Sequence, residues 1–192
     1  MAHKNTSKYV YLGVAFTVLI AIFVLYSNHK SNIAERSLES KFIMLNSDKT
    51  NQCSGPGFIN MKKDDERLQG SCCSPMDFQS YKKQINGLKK YSNIKVIPQD
   101  PYDIPVSLAR QLLNYQKTIK LTSEQQKVYD EAVKLSDENG PCCCKCWRWY
   151  AFEGLAKYLI TNYNFNAEQI AEVWDLEDGC GGAGHDDDHN NM

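Results

Sequence analysis

The longest apolar run stands near the start of the chain, where Tyr9 to Tyr26 reads YVYLGVAFTVLIAIFVLY without a charge, between Lys8 and His29-Lys30. At about 1.5 Å per residue, a helix of this length approaches the roughly 30 Å of a bilayer's hydrocarbon. Tyr9, Tyr11 and Tyr26 sit at its ends, where amphipathic rings favour the interface. The pattern predicts a transmembrane helix over residues 9–27 after a short tail, 1–8. A cleaved signal peptide would have a shorter apolar core and a small-x-small site, which SNHKSNIAER does not offer. The expectation is therefore a single-pass protein of a cell membrane, with the lipid bilayer as its first partner. Lys4 and Lys8 on one flank and Lys30, Arg36 and Lys41 on the other leave the positive-inside count undecided. The short positive tail resembles a signal-anchor and places the C-terminal domain outside the cytoplasm.

Beyond the anchor the apolar spacing turns helical. Ile33, Leu38, Phe42 and Leu45 among charges predict a stalk helix, and the Asn-, Asp-, Gly- and Ser-rich stretch 46–72 an irregular loop, together spanning residues 28–72. A helical domain is expected over 73–179. Ser74 as N-cap and Pro75 open its first helix, with Phe78, Tyr81, Ile85 and Leu88 inward. Ile94 to Ile97 could form a short strand, but Pro98, Pro101 and Pro105 limit any sheet. Pro105 opens a helix to about Thr118 with Leu108, Leu112 and Ile119 inward, and Thr122-Ser-Glu-Gln125 opens another with Val128, Ala132 and Leu135 inward. Gly140-Pro141 ends it, a longer helix follows from Cys142 to about Asn162, and Asn166-Ala-Glu-Gln169 caps a last one holding Ile170, Val173 and Trp174. The fold class expected is all-α: one N-terminal transmembrane helix followed by a small cysteine-rich helical domain, with a Gly/Asp/His-rich tail at 180–192.

Charge narrows the partners. Lys+Arg 22 against Asp+Glu 23 gives a net charge of -1 over 192 residues, with no basic excess to hold a phosphate backbone. The helix pair around Asn162–Asn166 has the look of a helix-turn-helix, but its second helix carries Glu168, Glu172, Asp175 and Glu177. Nucleic acid is not an expected partner.

The eight cysteines supply the candidate chemistry. Cys142, Cys143, Cys144 and Cys146 fall at the start of the expected long helix, where i, i+3 and i, i+4 spacing would gather sulfurs on one face and the helix N-terminus would favour thiolate. Adjacent cysteines bridge one another poorly, so a run of three suits a metal better than structural disulfides. Cys72-Cys73 is a second cluster able to complete the site; Cys53 and Cys180 stand alone, and the tail adds His185 and His189 as further candidate ligands. Many thiolates and few imidazoles select a soft ion, copper(I) first and zinc next, for storage, transfer or sensing with a metal-donor or metal-acceptor protein as partner. Two rivals remain open: a thiol–disulfide oxidoreductase exchanging through Cys143 and Cys146, and a non-enzymatic domain stapled by disulfides. No Ser-His-Asp set, phosphate loop or HExxH motif points to another enzyme.

Pro141-Cys142-x-Cys144-x-Cys146 also resembles the motif of the PCYCGC family of cysteine-rich, membrane-tethered bacterial proteins, with Cys143 and Lys145 where that motif has Tyr and Gly. Val128-Tyr129, Ala132 and the helix pair after the motif extend the resemblance over roughly residues 105–178. It implies an extracytoplasmic, thiol-rich domain.

Overall fold

The computed structural model describes residues 33–48 and 50–181, preceded by Phe23, Leu25, Tyr26 and His29. Among the described residues no helix is long and apolar enough to cross a membrane, which overturns the expected transmembrane helix. The described helical run ahead of the domain, residues 33–41 (α1), carries Glu35, Arg36, Glu39 and Lys41, charges that hydrocarbon does not accept. Most of the run 9–27 lies outside the described residues. The chain divides into two units between Lys41 and Phe42. In the first, residues 33–41 are helical.

The second unit holds the rest of the elements. In chain order they are α2 (Gly57–Asn60), β1 (Arg67–Gln69), α3 (Phe78–Leu88), a 3₁₀ turn (Lys89–Tyr91), β2 (Asp103–Pro105), α4 (Val106–Thr118), α5 (Ser123–Leu135), α6 (Trp147–Tyr163) and α7 (Ala167–Leu176). The unit is mostly helical rather than all-α. β1 and β2 pair antiparallel, with Leu68 opposite Ile104. Both of these residues are buried. Pro105 ends the ribbon, where its missing N–H costs no ladder bond. The β-branched segment Ile94–Ile97 instead forms turns that bury Ile94 and Ile97.

α6 is the central helix. Trp147, Ala151, Phe152, Leu155, Ala156, Leu159 and Ile160 are all buried, so it is apolar on most of its circumference. α4 lies so close that a Cβ on Gly154 would fall 2.0 Å from the Leu112 carbonyl oxygen. α5 and α7 open on capping boxes, Thr122 with Gln125 and Asn166 with Gln169. Asn164, at φ 54 in the left-handed region, ends α6 and turns the chain into α7. Leu135, expected inward, is exposed. The stripe that α5 turns to the core runs through Val128, Tyr129, Ala132 and Val133.

Two helix starts shift, and both shifts shape the cysteine region. α3 begins with Asp77 as N-cap, its carboxylate accepting from Ser80 N at 2.8 Å. Ser74 is not available for that role, because its hydroxyl and its backbone N–H both donate to the Cys180 carbonyl. α6 begins at Trp147, so residues 142–146 form a non-helical strap ahead of it.

Candidate metal centre

Four connections meet beside the N-terminus of α6, and together they carry all eight cysteines. Cys53 lies in the loop before α2, Cys72 and Cys73 between β1 and α3, Cys142 to Cys146 in the strap, and Cys180 after α7. Short backbone bonds fix these segments. Cys72 N donates to Gly179 O at 3.1 Å and Ser74 N to Cys180 O at 2.8 Å, which lays the Cys72-Cys73 loop along the chain that leaves α7. Trp147 N donates to Ser54 O at 2.7 Å, tying the Cys53 loop to the first residue of α6. Gly181 sits at φ 116, and any Cβ there would strike the Ser74 carbonyl oxygen at 2.2 Å, so this crossing requires glycine.

The sulfurs gather accordingly. Cys143 and Cys180 are 2.8 Å apart, Cys53 and Cys144 2.9 Å, Cys142 and Cys180 3.4 Å, Cys72 and Cys73 3.6 Å, and Cys72 and Cys180 3.8 Å. All eight are free thiols. They fall into groups of three whose sulfurs lie within 4.8 Å of one another: Cys53, Cys73 and Cys144; Cys72, Cys73 and Cys180; Cys142, Cys143 and Cys180; Cys142, Cys144 and Cys146. Every cysteine belongs to at least one such group, so these clusters can hold metal ions.

The strap achieves this convergence differently from the expected helix face. Cys142, Cys144 and Cys146 form one group because the strap is bent rather than extended or helical, with Cys146 N donating to Cys144 O at 2.9 Å. Cys146, at φ -82 and ψ -173, is the extended N-cap of α6. Cys143 turns instead toward Cys180, so Cys143 and Cys146, the exchanging pair of the oxidoreductase reading, share no group. Cys53 and Cys180, isolated in sequence, stand inside the network, and Cys180 is fully buried. His185 and His189 lie outside the described residues.

Thiol acidity is uneven across the cluster. Hydrogen bonds from Cys146, Cys180 and Cys72 hold Cys142 far below the usual thiol range, making it the preferred thiolate. Sharing with Cys142 holds Cys72 and Cys180 above it, and burial pushes Cys143 up to about 12. Arg148 provides compensating charge. It is 1% exposed, stacked between the Trp147 and Phe152 rings, and its Nη2 donates to Glu177 O at 2.7 Å. Its Nη1 has no hydrogen-bond partner, and Cys72, Cys142 and Cys180 lie within its field. A Cβ on Gly179 would fall 2.3 Å from the Arg148 Cζ, so the glycine makes room for the guanidinium. In the sequence Arg148 stands between Trp147 and Trp149 and four residues before Phe152, aromatic neighbours that mark the start of a buried helix.

Exposure is graded as well. Cys142, Cys146 and Cys180 are buried under Trp149, while Cys53, Cys73 and Cys143 are exposed. A cleft of about 530 Å³ reaches the network on one side, with Asp48, Asn51, Cys53, Cys72 and Cys73 in its wall. No family model, curated protein or solved structure matches the chain.

Proposed function

We propose that this domain binds a soft transition metal, copper(I) ahead of zinc(II), through its cysteine network, and that its task is to store the metal or pass it on. The observation that carries this reading is the gathering of eight free thiols from four separate connections into groups of metal-binding size. Softness selects copper, zinc or iron–sulfur chemistry, and coordination number favours copper among them. A structural zinc site takes four ligands in a tetrahedron, whereas the mutually close groups among the described residues contain three sulfurs each, a set that suits copper(I). The P-C-x-C-x-C frame at Cys142, Cys144 and Cys146 resembles that of the PCYCGC family and is in keeping with a thiol-rich domain. The cleft beside Cys53 and Cys73 offers a route by which a donor or acceptor protein's thiols exchange the ion in steps.

The test is a copper(I) titration of the full chain under anaerobic conditions against a competing chelator, beside a Cys142/Cys143/Cys144/Cys146→Ser variant. Copper that survives the chelator in the wild type and is lost in the variant supports the reading, with circular dichroism showing that the variant keeps its helices. A chain that binds neither copper nor zinc while all its thiols oxidise overturns it and assigns the close pairs, Cys143 with Cys180 and Cys53 with Cys144, to disulfide chemistry.

A further inference from the structure

Resting on that metal-binding reading, we infer that the network holds four copper(I) ions in one closed ring, bridged by Cys73, Cys142, Cys144 and Cys180 and completed by Cys53, Cys72, Cys143 and Cys146 as terminal ligands. The ring is a property of how the groups overlap. The group of Cys53, Cys73 and Cys144 shares Cys73 with the next, which shares Cys180 with the third, which shares Cys142 with the fourth, which shares Cys144 with the first. Each neighbouring pair of groups has one sulfur in common, and each of the remaining four cysteines belongs to one group alone. A thiolate has lone pairs enough to bind two ions, so four three-coordinate ions use all eight sulfurs with none left over.

The dimensions agree. With a metal–sulfur bond of about 2.3 Å, a planar three-sulfur site has its sulfurs roughly 4 Å apart, inside the 4.8 Å within which each group falls. The closest pairs, at 2.8 and 2.9 Å, open by roughly 1 Å as ions enter. Each thiol releases its proton to solvent on ligation, and eight thiolates around four monovalent ions leave an excess of negative charge. Arg148 carries charge of the sign needed: the buried guanidinium keeps an unpartnered Nη1 and interacts electrostatically with Cys72, Cys142 and Cys180, two of which bridge, as well as with Glu177. A single three-sulfur site would leave five of the eight cysteines without an ion.

The experiment is native mass spectrometry and metal analysis of the full chain loaded with copper(I) and washed with chelator, together with X-ray absorption at the copper edge. The wild type is expected to hold four ions and to show copper–copper scattering. Cys53→Ser or Cys143→Ser, each touching one group, should retain three ions; Cys73→Ser or Cys144→Ser, each touching two, should retain two. A wild type that holds one or two ions, or four without copper–copper scattering, overturns the ring while leaving copper binding intact. Equal losses in terminal and bridging variants overturn the bridging assignment. A wild type that binds no copper fails the underlying reading as well. The wild-type measurements decide the number and the bridging even where a variant does not fold.

Discussion

Asn51 is the side chain on which the assembly of the cysteine region can be tested most sharply. It is 4% exposed, its Oδ1 accepts from the Trp147 indole N–H at 3.0 Å and from Gln52 N at 2.9 Å, and its Nδ2 donates to Gly70 O at 3.1 Å. One amide thereby clips the Cys53 loop, the end of β1 that leads to Cys72-Cys73, and the first residue of α6 behind the strap. Asn51→Ala removes all three bonds. Gln52 is exposed and its N–H can turn to water, but Trp147 and Gly70 are buried and keep an unpaired donor and acceptor. At about 1–3 kcal/mol for each orphaned buried group, the loss is roughly 4 kcal/mol, a large share of the ~5–15 kcal/mol that holds a domain folded. With a urea m-value of about 2 kcal/mol/M, the midpoint should fall by roughly 2 M. In a Trp147→Phe background, where the indole donor is already gone, Asn51→Ala should cost about 1–3 kcal/mol less, a coupling that a double-mutant cycle measures directly. The same variant should loosen Cys53 from Cys144 and lower copper retention. An Asn51→Ala midpoint shift below about 0.5 M urea, with m unchanged, would refute the clip.

Gly154→Ala tests the approach of α4 to α6. Alanine in a free helix gains up to about 1 kcal/mol over glycine, but here its Cβ would meet backbone atoms of Leu112 and Gln116 at 2.0 and 2.7 Å; the expected outcome is a loss of about 3 kcal/mol and a fall of roughly 6–12 °C in Tm, and a rise in Tm would contradict the packing. Asp175 gives the pH test. Burial pushes its carboxyl up to about 6, so the fold favours the protonated form, and the stability this lends is complete below about pH 4 and lost as pH rises through 6. Allowing for its partial exposure, Asp175→Asn should stabilise by about 1 kcal/mol at pH 7.5 and by nothing measurable at pH 4, its amide oxygen still accepting from Asp137 N; chemical denaturation at the two pH values reads the difference, and equal effects at both would refute it. Copper removal is the fourth test: ligand at about 100 times its Kd stabilises by about 2.7 kcal/mol per site, so the loaded chain should melt well above the chelated one, and coincident melts would count against binding to the folded state.

How much of this was legible beforehand depends on whether the deciding interaction is local. The capping boxes of α5 and α7 join residues three apart, and both helices start where those residues stand. Ser74-Pro75 carries an equally good local signal and does not start α3, because the Ser74 hydroxyl is taken by the Cys180 carbonyl, 106 residues away. The strap fails as a helix for a related reason: Cys143, Cys144 and Cys142 approach Cys180, Cys53 and Cys180 again, partners 37, 91 and 38 residues distant. No periodicity in the local sequence encodes those meetings, and the β1–β2 pairing across 36 residues was hidden in the same way. The candidate cysteines could be read as a composition; their grouping could not.

That division has a consequence for how the domain works. The helices α3 to α7 pack through an apolar core that includes none of the cysteines, while Cys142, Cys146 and Cys180 form a separate, smaller buried cluster with Cys72, Cys144 and Trp149. Hydrogen bonds couple the two at particular points: Asn51 to the Trp147 indole, Trp147 N to Ser54 O, and Gln84 to Asp178 O. The helical body therefore has the means to stay folded without metal, while the four connections depend on the ions to hold them together. Amide hydrogen exchange of the apo and copper-loaded chains should show protection of α4, α6 and α7 in both states, and protection of residues 51–54, 71–74, 141–146 and 178–181 that rises on loading. Uniform loss of protection across the helices on copper removal would mean instead that the metal nucleates the whole fold, as in the smallest zinc domains, and that the apolar core around α6 is not sufficient by itself.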